Sequence, residues 1–126
     1  MKNVVISTAL FFALLTFMVY SNKQLYKFCG SVVASCEHLE EKLKNDEWED
    51  SYDEAYKLLE KIKNDAPGIS VYINHADMDL VSNEVYKLTQ YVKQLDKSES
   101  LASVHSIKHQ VGNIMKIQEL SIQNIF

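Results

Sequence analysis

The sequence predicts an all-α protein, an N-terminal transmembrane helix continuing into a small up-down helical bundle of about four helices. Three observations carry this. Val4 to Tyr20 form one uncharged, apolar run. Beyond it, apolar residues recur in steps of three and four along four successive stretches, the signature of buried helix faces. One Pro and three Gly in 126 residues leave too few turn formers for a strand-rich fold. The expected division is residues 1–21 as membrane anchor and 22–126 as an extracytoplasmic helical bundle, long enough for one modest core.

The anchor comes first. Its seventeen residues, Val4 to Tyr20, cover roughly 25 Å at about 1.5 Å each, a little short of a hydrocarbon layer of about 30 Å. Asn3, Ser21 and snorkelling Lys2 and Lys23 extend the reach, and Tyr20 sits where an interfacial aromatic belongs. Ser7, Thr8 and Thr16 can return their hydroxyls to helix carbonyls. The alternative is a signal peptide cleaved after Val19-Tyr20-Ser21. Against it, the run exceeds the usual ~7–15 residues, Ala-x-Ala is absent, and the helical pattern continues past Ser21. Charge bias is nearly balanced between Lys2 with the free amine and Lys23 with Lys27. The very short leading tail favours a single-pass cell-membrane protein with the bulk of the chain outside. Val33-Ala34-Ser35-Cys36 resembles a lipobox but stands too far beyond the apolar run to serve as one.

The first outer stripe is Leu25, Phe28, Val32, Cys36, Leu39 and Leu43, with nothing between Tyr20 and Leu25 to break a continuous rod. Asn45-Asp46 marks a turn, and Asp46 with Glu49 has capping-box spacing. Trp48, Tyr52, Ala55, Leu59 and Ile62 follow, until Pro67-Gly68 ends or kinks the helix. The third stretch holds Ile69, Tyr72 and Ile73, a bend at His75-Ala76 capped by Asp77, then Val81, Val85, Leu88, Val92 and Leu95. Asp96 with Glu99 repeats the capping device ahead of Leu101, Val104, Ile107, Val111 and Ile114. Met115, Ile117, Leu120, Ile122, Ile125 and Phe126 make an apolar tail, expected to fold back as a short turn of helix.

Charge narrows the partners. Nine acidic residues lie between Glu37 and Glu54 against Lys42 and Lys44, which disfavours nucleic acid. The stretch reads first as a solvated turn between two helices and second as a patch for a basic partner or a loose cation site. All thirteen basic residues are Lys.

No catalytic constellation stands out. His75, Asp77 and Asp79 are the densest group of metal-capable side chains, but on a helix only His75 and Asp79 share a face, and two ligands do not make a zinc site. They are weak metal candidates, better read as a helix cap plus a polar contact inside the bundle. His105 and His109 fall on the solvated side of their helix. Cys29 and Cys36, seven residues apart and about 10.5 Å along a helix, cannot pair with each other and read as small buried hydrophobes. Pairing with a second chain stays open. Gly30, Gly68 and Gly112 are isolated, so no phosphate loop is present. Trp48, Tyr52, Tyr56 and Tyr72 can form a partner or ligand face, with Tyr86 and Tyr91 as further aromatics for a groove, although such residues more often close a small core.

Four short motifs, Asp46-Glu47-Trp48, His75-Ala76-Asp77-Met78-Asp79, Tyr91 to Asp96 and Asn124-Ile125-Phe126, together resemble a family of small single-pass membrane-anchored helical proteins. That family comes from Gram-positive spore-forming bacteria and is known as a domain of unknown function. The resemblance spans nearly the whole chain and departs at Asp65-Ala66-Pro67-Gly68, where such proteins continue a helix with further Trp. It implies no activity and no cofactor. Some such proteins are encoded beside multi-pass membrane proteins, which implies a partner in the membrane.

The expected function is therefore a non-catalytic interaction or accessory module for another membrane or envelope protein, with homo-oligomerisation open. The alternative is a ligand-sensing or solute-binding bundle using the Tyr-rich face.

Overall fold

The computed structural model describes residues 1–69 and 75–125, with side chains through residue 120. It contains four helices: α1 (Lys2–Lys44), α2 (Trp48–Ile69), α3 (His75–Lys93) and α4 (Lys97–Ile125). Each touches its two neighbours in a closed ring, α1 to α2 to α3 to α4 and back to α1, and diagonal helices do not meet among the described residues. This is the up-down arrangement that short connections favour.

The core is built by the stripes. α1 contributes Leu25, Phe28, Cys29, Val32, Cys36, Leu39 and Leu43, and these meet Ala55, Leu58, Leu59 and Ile62 of α2. Met78, Val81, Val85, Leu88 and Val92 of α3 close the opposite side with Val104, Ile107, Val111 and Ile114 of α4. Alternating three- and four-residue steps keep each face turned toward its neighbours, as in other bundles of nearly parallel helices.

α1 runs unbroken for 43 residues, roughly 65 Å. Its first part stands clear of the bundle. It is the one helix, among the described residues, long and apolar enough to cross a membrane, and 6% of its apolar window is buried. A buried core helix is thereby excluded, and a single-pass anchor and a signal sequence are both compatible. Thr8 and Thr16 donate their hydroxyls to the Val4 and Phe12 carbonyls at 2.8 and 2.9 Å, satisfying both side chains within the helix.

The two turns at the far end from this segment are near copies. Asp46 N–H donates to the Leu43 carbonyl and Glu47 N–H to that of Lys42; Leu95 N–H donates to Val92 and Asp96 N–H to Tyr91. Both are Schellman closures, and the residue forced into the left-handed region is Asp46 in one and Leu95 in the other, each at φ 59°.

Several sequence expectations change here. Asp96 does cap α4, its Oδ1 accepting the Glu99 N–H at 3.1 Å. Asp46 does not cap α2: its backbone closes the end of α1, and its carboxylate takes Lys97 Nζ at 3.1 Å instead. Leu95 leaves the α3 stripe, because the Schellman turn lifts it out of helical register onto the surface. α2 runs through Pro67 as far as Ile69. α3 begins at His75, which puts Asp77 in its first turn rather than at its cap. The apolar tail does not fold back but prolongs α4 to Ile125. Tyr72 and Ile73 lie outside the described residues.

Candidate functional site

The far end of the bundle is an apolar patch among acids. Trp48 and Tyr52, in the first turns of α2, are half-buried and pack on the core. With Val92 and Leu95 they line a recess of about 460 Å³, whose rim carries Glu49, Asp53 and Lys93. Tyr56 lies one turn further along α2, exposed, its ring stacked on Tyr52 with centroids 6.4 Å apart. Three of the four aromatics expected on a partner face are thus neighbours, and the fourth, Tyr72, falls outside the described residues.

Sequence reading missed Leu95. It is 61% exposed and held in a left-handed conformation that costs an L-residue roughly 1–2 kcal/mol. Periodicity assigned it to the core, and nothing in residue type marked the turn. The site is fixed in place by Lys97, which reaches the Lys44 carbonyl at 3.2 Å and Asp46 at 3.1 Å, tying the two turns together.

The remaining candidates do not assemble. His75 and Asp79 are exposed on α3, whereas Asp77 borders a small recess of about 150 Å³ with Leu80, Gln110 and Ile117. No three His, Cys, Asp or Glu side chains converge into a metal-holding group among the described residues. His105 and His109 are exposed, as their position on the helix implied. His105 Nε2 lies 3.6 Å from Glu40 Oε1, and His109 Nε2 lies 3.4 Å from Asn113 Nδ2.

Cys29 and Cys36 are free thiols in the core, as the stripe predicted. Burial pushes Cys29 up to about 11 and Cys36 up to about 12, so neither is a thiolate at neutral pH. Their burial also keeps them from a second chain unless the bundle opens.

At the near end, beside the apolar segment, α1 and α2 diverge around a recess of about 530 Å³. Lys27 of α1 and Lys61 of α2 line it, and Lys61 donates to the Ser31 hydroxyl. Across the bundle, Gln118 Nε2 donates to Asn22 Oδ1 at 2.8 Å, which sets α4 beside the base of α1. Lys27 and Lys61 belong to different helices, and only the pairing of α1 with α2 brings them to one recess.

A family model described as a domain of unknown function, DUF4363, matches residues 19–125. No match was found among curated proteins or among solved structures. The chain belongs to the DUF4363 family.

Proposed function

Starting from membership of a family with no assigned role, we propose that this chain is a membrane-anchored, non-catalytic interaction module. In this reading its apolar segment is retained as a single-pass anchor, the bundle lies outside the cytoplasm, and the far tip docks on another membrane or envelope protein.

The tip carries the reading. An exposed leucine held in a strained backbone conformation beside a Trp and a Tyr is costly in isolation. The cost is offset when a partner covers it, since buried Trp and Tyr dominate interface energetics. Glu49 and Asp53 at the rim, with Asp46, Glu47 and Asp50 close by in sequence, select a partner that presents an apolar side chain flanked by Lys or Arg.

Site-specific photo-cross-linking in intact cells tests it. A photoreactive residue at Leu95 is expected to trap one discrete protein, Trp48→Ala to abolish that product, and the same probe at exposed Tyr86 on α3 to give none. No product from Leu95, or equal products from both positions, overturns the docking role.

A further inference from the structure

We propose that the recess between α1 and α2 binds one anionic phospholipid, its phosphate held between Lys27 and Lys61 and its acyl chains leaving past Tyr20. This rests on reading the apolar part of α1 as a membrane span.

The first ground is shape. The recess of about 530 Å³, lined by polar side chains together with Phe28 and Ile69, begins at Tyr20 and extends outward along α1 to Ser31. A second recess of about 410 Å³ lies on the apolar segment, lined by Leu15, Val19 and Lys23, and it shares Tyr20 with the first. An open groove bearing two lysines, next to an apolar helix surface and sharing one tyrosine with it, has the outline of an amphiphile.

Charge supplies the second. No acidic residue precedes Glu37, so α1 leaves the apolar segment carrying only Lys23 and Lys27. Lys61 arrives from α2, half-buried and hydrogen-bonded to Ser31. Two ammonium groups offer charge-assisted hydrogen bonds to phosphate oxygens. Asp65 also lines the recess and leaves one net positive charge there, which suits a singly charged phosphodiester better than a doubly charged monoester. Gln24 and Asn64 on the walls provide donors and acceptors for a hydroxylated headgroup.

Direction is the third. Side chains on a helix lean toward its N-terminus. α1 rises from the apolar segment, so Lys23 and Lys27 lean back toward it; α2 runs the opposite way, so Lys61 leans outward to Ser31 and caps the recess from its outer side. Lys27 stands roughly 10 Å beyond Tyr20 along the axis, and its long side chain reaches down to headgroup level.

The test uses the full chain in an uncharged detergent, titrated with phosphatidylglycerol, with phosphatidylcholine and with glycerol phosphate, and read by native mass spectrometry. One phosphatidylglycerol is expected to bind saturably, roughly tenfold more tightly than phosphatidylcholine. Lys27→Gln combined with Lys61→Gln is expected to erase that preference. Lys57→Gln with Lys63→Gln, the same charge change on α2 outside the recess, is expected to leave it. Equal binding of the two lipids, a preference that survives Lys27→Gln/Lys61→Gln, or displacement by glycerol phosphate at lipid-like concentrations each overturns the lipid site. The last of these would mark a site for soluble phosphates. A chain that stays soluble at full mass without detergent removes the span itself, an outcome distinct from a detergent-dependent chain with no lipid preference.

Discussion

α1 is one continuous helix with two kinds of surface. Up to Tyr20 its large apolar side chains point outward, Phe12 at 60% exposure being typical; from Ser21 the same helix buries Leu25, Val32, Leu39 and Leu43 almost completely. Both halves are rich in large apolar residues, but they are distributed differently: the first half is uncharged and apolar all round, the second has a single stripe opposed by Lys, Glu and His. Helix formation therefore says nothing about which solvent a segment meets, whereas the angular spread of its apolar residues does.

The sharpest way to break this contrast is to truncate one residue in each half. Leu39→Ala removes a fully buried side chain from the bundle and is expected to lower unfolding free energy by about 2–5 kcal/mol. Phe12→Ala is expected to change it by less than about 0.5 kcal/mol, because the ring makes no part of the core. Chemical denaturation in mild detergent, followed by circular dichroism, measures both. Comparable losses would mean that the two halves of α1 support one core after all. Phe12→Lys sharpens the test from the other side: under the proposed membrane-anchored reading, a charge near the middle of the span costs about 2.5–3.5 kcal/mol of insertion and is expected to lower membrane retention while leaving the bundle melt unchanged.

A smaller effect is expected at the far tip. Leu95→Gly relieves the left-handed strain and is expected to stabilise the bundle by about 1 kcal/mol, a rise in melting temperature of roughly 4–8 °C for a domain this size. The same change should weaken the cross-linked product seen from a probe placed at Tyr52. Asp46→Gly is expected to gain less, since Asp tolerates the left-handed region better and the change loses the ion pair with Lys97. If Leu95→Gly destabilises, Leu95 contributes to packing and its exposure has no bearing on docking.

These sites show why some of the structure was legible in the sequence and some was not. Stripe residues such as Val32, Leu39, Val85 and Ile107 could be placed from spacing alone, because each is fixed by the helix it belongs to. Asp96 could be read as a cap because its partner, the Glu99 N–H, is three residues away. Asp46 and Leu95 could not. Neither is glycine, and no glycine has positive φ among the described residues, so the usual marker of a left-handed helix end was missing. The turn was set by the packing of helices on either side. Lys27 and Lys61 were equally opaque: they are 34 positions apart, and only the antiparallel pairing of α1 with α2 brings them to one recess. Local rules give elements and caps, while sites made across helices wait on tertiary geometry.

The least of the expected effects separates the two ends of the α1–α4 contact. Near the apolar segment that contact is a neutral hydrogen bond, Gln118 to Asn22. Toward the far end it is ionic: Glu40 meets Lys108 of α4 at 3.6 Å, His105 of α4 at 3.6 Å and Lys44 of its own helix at 3.2 Å. The hydrogen bond from Lys44 holds the Glu40 carboxyl below its ordinary range; the charges of Lys44, His105 and Lys108 add to this, and desolvation opposes it. A carboxylate with a depressed pKa in the folded state stabilises that state above its unfolded value, about 4.3, and loses the contribution as pH falls through the folded value. Because the group is partly solvated, Glu40→Gln is expected to cost at most about 1 kcal/mol at pH 7. Urea titrations at pH 7 and pH 3 should show the gap between Glu40→Gln and wild type closing in acid, and high salt narrowing it at neutral pH. Asn22→Ala is expected to cost a similar amount at both pH values, because no charge changes there. A Glu40→Gln penalty that persists undiminished at pH 3 would show that shape and hydrogen bonding, rather than charge, hold α4 against the outer half of α1.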